Sequence, residues 1–121
     1  MNAKKLVLAL LCLGCGTFAM AAPTAYIPLG SANQVIAVDA ANDKIIRSYS
    51  GVENPHGLVA TPDGDYLVAG SLKETPVPAG APSDTPNSKL YVIHPEHGHV
   101  MAEIPVSGWT HHEAVTPDGK Y

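Results

Sequence analysis

The stretch "PHGLVATPDGDYLVAG" (Pro55–Gly70) is partly repeated 55 positions later as "HHEAVTPDGKY". In both copies a histidine, His56 or His111, precedes a Thr-Pro-Asp-Gly sequence. An Asp-Gly pair between runs rich in Val and Leu predicts a β-hairpin, because glycine accepts the positive φ of the turn and proline pre-sets φ for its first position. The structural turn residues are therefore Pro62, Asp63, Gly64 and, in the second copy, Pro117, Asp118 and Gly119.

The repeat extends beyond this phrase in both directions along the chain. Residues 34–38 (QVIAV) align with residues 89–93 (KLYVI) at the same offset of 55, and the apolar pattern is kept although few residues are identical. Short strands are predicted at 34–39, 44–49, 57–61 and 65–70. Fixed-period self-similarity built from short strands predicts an all-β fold, a β-propeller whose blades have four antiparallel strands.

Two blade-like repeats, 33–66 and 88–121, are expected, which is about one and three-quarter blades. A propeller closes its ring with more blades than this, so the chain is expected to be the N-terminal part of a larger propeller domain spanning 22–121 here. Between the repeats lies a segment with four prolines, residues 72–87 (LKETPVPAGAPSDTPN). It predicts an extended surface loop inserted between blades, and a tolerated insertion is favoured over a functional arm.

The first 21 residues have the features of a secretory signal peptide. Lys4 and Lys5 precede an apolar run, and Ala19-Met20-Ala21 fits a cleavage site after Ala21. We therefore expect a periplasmic or secreted protein without a membrane span after cleavage. Both cysteines lie in the signal peptide and are removed with it. In the rest of the chain acidic residues outnumber basic ones, and this net negative charge argues against a nucleic-acid partner.

The stretch "AYIPLGSANQVIAVDAANDKIIRSY" (residues 25–49), followed by 55–70, resembles the repeat of the YVTN family of bacterial β-propellers. These propellers are grouped with the haem d1-binding propeller of dissimilatory nitrite reductase, so the resemblance implies a propeller fold and a possible cytochrome d1-like relationship. The chain departs from the pattern at His94, which stands where the first repeat has Asp39. No C-x-x-C-H haem-attachment motif precedes the propeller, which weighs against an enzyme.

In propellers of this family the strand before the Asp-Gly turn is the innermost one. The resemblance therefore implies that His56 and His111 open onto the mouth of the central channel, beside His112 and Glu113. These four residues are the predicted cofactor-binding site, since imidazole suits a metal, a haem iron or proton transfer. The alternative is that the two repeated histidines hydrogen-bond to the backbone of the next blade.

A second histidine group, in "HPEHGH", contains His94, His97 and His99. These side chains could chelate a metal loosely, but a solvated hairpin turn is the favoured interpretation, because the spacing matches no structural zinc motif. Trp109 precedes the channel-mouth residues; it could wall a pocket there, but packing between blades is the favoured expectation.

Together these features predict a YVTN-type propeller that binds a metal, a haem-like cofactor or a small ligand at its channel mouth. One alternative is a haem d1-type redox or cofactor-biosynthesis protein, which would be a cytochrome d1-like oxidoreductase. Another is a protein-interaction scaffold without a cofactor. Small molecules or proteins are the expected partners.

Overall fold

The computed structural model describes residues 22–121; the predicted signal peptide and both cysteines lie outside the described residues. Within these described residues, seven strands and one short 3-10 turn follow one another. They are β1 (Thr24–Leu29), the turn Gly30–Ala32, β2 (Gln34–Asp39), β3 (Lys44–Ser50), β4 (Pro55–Ala60), β5 (Leu67–Ser71), β6 (Ser88–His94) and β7 (His99–Val106). The all-β prediction is confirmed, and the four predicted strands correspond to β2, β3, β4 and β5.

The strands form two antiparallel sheets that lie side by side. One has three strands in the order β1-β2-β3, and the other has four in the order β4-β5-β6-β7. Between the sheets, β1 contacts β4 and β3 contacts β7. The first strands of the two sheets are therefore neighbours, and so are the last strands. The strand order has the same direction in both sheets, as it does in neighbouring blades.

The core lies between the two sheets and is built from residues at alternating strand positions. Val35 and Ala37 contribute from β2, Leu67 and Ala69 from β5, and Tyr91 and Ile93 from β6; all are buried. Successive side chains of a strand point to opposite faces, so residues two positions apart share a face and each strand points one apolar row into this interface.

Two side chains of β3 connect the sheets by hydrogen bonds. The hydroxyl of Tyr49, which is 2% exposed, donates to the Pro95 carbonyl at 3.1 Å. The Arg47 guanidinium donates to the Pro95 carbonyl at 3.1 Å and to the Glu96 carbonyl at 2.5 Å. The β6–β7 hairpin of one sheet is thus held by the outer strand of the other.

The sequence repeat is visible in the strand register. β2 and β6 each shift register once against their partners, between Ala37 and Val38 and between Val92 and Ile93. These positions are equivalent at the offset of 55. A β-bulge bends its strand and increases the local twist, so both hairpins acquire the same shape.

The two Thr-Pro-Asp-Gly turns also share one hydrogen-bond pattern. The Thr61 hydroxyl donates to the Asp63 carboxylate at 2.5 Å, and the Thr116 hydroxyl donates to the Asp118 carboxylate at 2.6 Å. Gly64 and Gly119 adopt φ values of 79° and 70°. The hydroxyl and a following backbone N–H lower the pKa of each aspartate, because both bonds favour the charged carboxylate.

The hydrogen-bonded sheets are offset from the sequence repeats. Repeat 33–66 contains β2, β3 and β4, and the last of these belongs to the second sheet. The predicted Pro-rich loop has the expected bounds, since β5 ends at Ser71 and β6 begins at Ser88. Its predicted position between blades was wrong, because it joins the second and third strands of a single sheet.

Candidate functional site

The two histidine groups lie at opposite ends of the four-stranded sheet. His56 lies at the start of β4, next to the end of β5, because Pro55 pairs with Ser71. His94 and His99 pair at the other end, where β6 turns into β7. The two groups therefore form two separate clusters.

The predicted channel-mouth histidines come together although they are 55 positions apart in sequence. The ring centroids of His56 and His111 are 5.4 Å apart, and those of His56 and His112 are 5.9 Å apart. All three side chains are exposed. Trp109 adjoins them, with its ring centroid 5.5 Å from that of His111. Trp109 is 60% exposed, so the expectation that it packs between blades was wrong for the described residues.

Glu113 occupies a notch formed by two glycines on neighbouring strands. Gly57 of β4 and Gly70 of β5 are buried, and their missing side chains leave the space that the Glu113 carboxylate fills. A Cβ atom at Gly57 would lie 2.7 Å from the Glu113 carboxyl carbon, and one at Gly70 would lie 2.8 Å from it. Real Cβ atoms do not approach this closely, so glycine at both positions is what seats the carboxylate.

Both Glu113 carboxylate oxygens are buried and have no hydrogen-bond partner among residues 22–121. Burial raises the pKa of this carboxyl, because desolvation disfavours the charged form. His112 and His56 oppose the shift, since positive charge on either ring would favour the carboxylate. A buried acceptor pair without a donor is a costly arrangement, so Glu113 is a candidate functional group.

This raised pKa predicts a pH dependence of stability. The folded state holds the Glu113 proton more tightly than the unfolded state, so the free energy of unfolding falls as pH rises from the ordinary value of 4.5 through the raised one. We expect Glu113→Gln to remove this slope. Melting temperatures of both proteins from about pH 4 to about pH 8 measure it, and parallel profiles would contradict the assignment.

The segment that carries Glu113 is anchored to the end of β5 by reciprocal hydrogen bonds. The Ser71 N–H donates to the Thr110 hydroxyl at 2.5 Å, and the Thr110 N–H donates to the Ser71 carbonyl at 3.1 Å. Ser71 is fully buried, and its hydroxyl donates to the Glu53 carbonyl at 2.6 Å. These bonds fix Thr110 against the sheet although it lies in no strand.

A small cavity of about 180 Å³ lies at the same end of the sheet, at the base of the Pro-rich loop. Its lining includes Glu53, Lys73 and Lys89. The two ends of the loop are joined by a hydrogen bond from the Thr75 N–H to the Asn87 carbonyl at 2.7 Å. The two ends of the loop are therefore held close together.

The second histidine cluster stacks instead of converging on one point. The ring centroids of His94 and His97 are 3.9 Å apart and their planes differ by 13°, while His97 and His99 are 5.9 Å apart at 8°. The Tyr66 ring lies edge-on to the His94 ring, with the two centroids 5.4 Å apart. Within residues 22–121, no group of three or more His, Cys, Asp or Glu side chains is spaced to hold a metal ion. Metal binding by this cluster stays a prediction.

The turn that begins at His94 differs from the equivalent turn of the first repeat in its side-chain contacts. In the equivalent turn the Asp39 carboxylate accepts the Ala41 N–H at 2.8 Å and the Asn42 amide at 2.8 Å. His94 lacks these acceptors, and its Nδ1 atom is buried without a partner among the described residues. The turn keeps its backbone bond from Gly98 to His94, at 2.9 Å, and gains ring stacking in place of the side-chain bonds.

Sequence reasoning did not identify Gly57, Gly70, Thr110 or Ser71 as part of the site. The available signal was the sequence Pro-His-Gly at 55–57, where a glycine inside a strand indicates a close approach by another group. Which group approaches could not be inferred, because the pairing of β4 with β5 and the path of residues 110–113 are tertiary features.

No family model and no curated protein sequence matches the chain. Among solved structures it is similar to a chain of hydrazine synthase from Kuenenia stuttgartiensis, with 26% sequence identity and a TM-score of 0.64. The match covers 80% of this chain and 24% of the other, so this chain spans about a quarter of that chain's length. Within the described residues, no helix is long and apolar enough to cross a membrane.

The two antiparallel sheets and this structural similarity define the fold class. The chain has an all-β, β-propeller-type fold, and residues 22–121 form one three-stranded and one four-stranded sheet. The propeller predicted from the repeat is therefore confirmed at the level of the fold.

Proposed function

We propose that this chain belongs to a periplasmic or secreted β-propeller of the YVTN type that binds a ligand between successive repeats. The site is formed by His56, His111, His112 and Glu113. Its occupant is a metal, a haem-like cofactor or a small organic molecule. The observation that carries the proposal is the grouping of three imidazoles from two repeats, two of which, His56 and His112, act electrostatically on a buried carboxylate without a partner among residues 22–121.

The arrangement is suited to binding for two physical reasons. The three rings are exposed, so their nitrogens are accessible to a ligand, and the carboxylate next to them lacks a donor within residues 22–121. The carboxylate is also held in place by the glycine notch, which limits the conformational entropy lost on binding. A structural role for the repeated histidines would not require an adjacent buried acceptor.

A second candidate is a redox role. It is favoured by the similarity to a chain of hydrazine synthase, which is by name an enzyme. In this version the histidines at the same site would act as an axial ligand or as proton donors to a haem-like group. A scaffold function without a cofactor is the third candidate and makes no use of the site.

The proposal is tested by identifying what the full-length protein carries when purified from the periplasm. We expect a visible absorption band, a stoichiometric metal or a small molecule released on denaturation. His111→Ala combined with His112→Ala should abolish it. The matched control, His97→Ala with His99→Ala, alters the cluster at the other end of the sheet and should leave the occupant in place. A protein that carries nothing and binds no added ligand would leave only the scaffold function.

A further inference from the structure

The four-stranded sheet has an apolar face on the side away from the first sheet. Tyr91 and Ile93 of β6 face the first sheet, so Leu90 and Val92 point to the opposite side. Neighbouring strands add apolar residues in register on that side, namely Val59, Val68, Ala102 and Ile104. None of these outward side chains is fully buried, and Ile104 is 45% exposed. We call this surface the open face of the second sheet.

The sequence repeat shows what kind of surface fits this face. At the offset of 55, Leu90, Val92 and Ile104 are equivalent to three residues of the first sheet that are buried against the second sheet, namely Val35, Ala37 and Tyr49. The open face is therefore the counterpart of a surface that already packs on a sheet. Its partner should resemble the side of the second sheet that is already covered.

The first sheet has an open face of that kind. Ile36 and Val38 of β2 point away from the second sheet, with Ile27 and Ile45 beside them in register. Ile27 is 40% exposed and Ile45 is 62% exposed. At the offset of 55, three of these residues are equivalent to residues in or against the core between the sheets, namely Tyr91, Ile93 and Val100. One chain thus has both halves of a contact that it already makes once internally.

The strands are incomplete in a matching way. Among residues 22–121, the first sheet has no strand equivalent to β4, and β1 pairs with β2 alone. Residues 111–115 are equivalent to residues 56–60 of β4, but they belong to neither sheet. They lead into a Thr-Pro-Asp-Gly turn, as β4 does. An unpaired strand edge such as that of β1 is a template for pairing with another chain.

The segment that lacks a sheet already lies on the open face of the second sheet. Gly70 pairs with Leu90, so it belongs to this face, and the Glu113 side chain and the Thr110 carbonyl lie against it. The Thr110 N–H donates to the Ser71 carbonyl at 3.1 Å. A sheet that begins with this segment would therefore cover the rest of the face.

We propose that the open face of the second sheet binds the open face of the first sheet in another copy of this chain. Residues 111–115 of one copy add to β1 of the other and complete its four strands. Two different surfaces meet, so the contact is heterologous, and such contacts close into rings or continue as filaments. Rings of 4–8 sheets would need about two to four copies with two sheets each. The inference does not rest on the histidine site.

The experiment measures the mass of the chain in solution by sedimentation velocity. The chain is expressed with its first 21 residues and purified from the periplasm. The mean mass should rise above that of a monomer over about a hundredfold range of concentration, because association follows mass action.

Two variants place a charge on one open face each. Ile104→Lys alters the face of the second sheet, and Ile45→Lys alters that of the first. Either change blocks every contact of a head-to-tail assembly, so each variant should associate at least about tenfold more weakly than the wild type. Val77→Lys is the matched control, because Val77 is 39% exposed in the Pro-rich loop, outside both faces, and it should leave association unchanged.

An equimolar mixture of the two variants distinguishes a head-to-tail contact from a symmetric one. The Ile45→Lys copy keeps an intact second sheet, and the Ile104→Lys copy keeps an intact first sheet. One contact can therefore form, and we expect a heterodimer and nothing larger. Circular dichroism checks the fold of each variant. Ala102→Lys, also at an exposed position of the open face, replaces Ile104→Lys if that variant does not fold.

Three results would overturn the proposal. The first is a mixture that stays monomeric, and the second is association that persists in both single variants. The third is a wild-type chain that is monomeric over the whole concentration range. That last result would leave a following repeat of the same polypeptide as the occupant of the open face.

Discussion

Replacing Tyr49 by alanine is expected to lower the free energy of unfolding by about 3–5 kcal/mol. The side chain is buried at 2% exposure in the core between the two sheets, and its hydroxyl bonds to the Pro95 carbonyl of the opposite sheet. The variant therefore loses apolar contacts, creates a cavity and leaves a buried carbonyl with one fewer donor. Urea denaturation followed by circular dichroism measures the change.

Two further variants separate these contributions. Tyr49→Phe keeps the ring and removes the hydroxyl, so it should cost only about 1 kcal/mol. Tyr121→Ala removes a tyrosine side chain that is 87% exposed, and it should change the free energy of unfolding by less than about 0.5 kcal/mol. If Tyr49→Ala were no more destabilising than Tyr121→Ala, the two sheets would not share a core through Tyr49.

Gly70→Ala is expected to destabilise the protein by roughly 1–3 kcal/mol and to disrupt the proposed site. The added methyl group would overlap both the Glu113 carboxylate and the Thr110 carbonyl. A side chain can rotate away, but the carbonyl is part of a backbone fixed by bonds to Ser71. Residues 110–113 must therefore move, and we expect altered Trp109 fluorescence together with a lower urea midpoint.

A double variant shows which of the two overlaps matters. Combining Gly70→Ala with Glu113→Ala removes the carboxylate and leaves the backbone collision, so it should recover only part of the lost stability. Full recovery would mean that the carboxylate alone fills the notch. A Gly70→Ala protein as stable as the wild type would show that the notch is not occupied at all.

The strands could be predicted from sequence because turn chemistry and side-chain alternation are local. Asp63-Gly64 requires a turn, and the apolar residues Val35 and Ala37 point to one face at a spacing of two. The repeat also gave the fold class. It did not show where one sheet ends and the next begins, because a repeating sequence can be divided into units at any point. The boundary is set by hydrogen bonding between strands, and β4 pairs with β5 and so begins the second sheet.

The site was predictable in part. His56 and His111 occupy equivalent positions of the two repeats, and the resemblance to YVTN propellers implied that both open onto the channel mouth; their ring centroids lie 5.4 Å apart. The seat of Glu113 was not predictable, because it depends on two glycines that become neighbours only when β4 pairs with β5. The stacking of His94 on His97 likewise depends on the path of the hairpin turn.

His56 and Gly57 belong to one repeat, whereas His111, His112 and Glu113 belong to the next. A ligand of the proposed site would contact both repeats and would bind only while the two are docked. By mass action its binding free energy then adds to the work needed to separate the repeats. Occupancy of the proposed site would therefore stabilise the association of the two repeats, and loss of the ligand would weaken it.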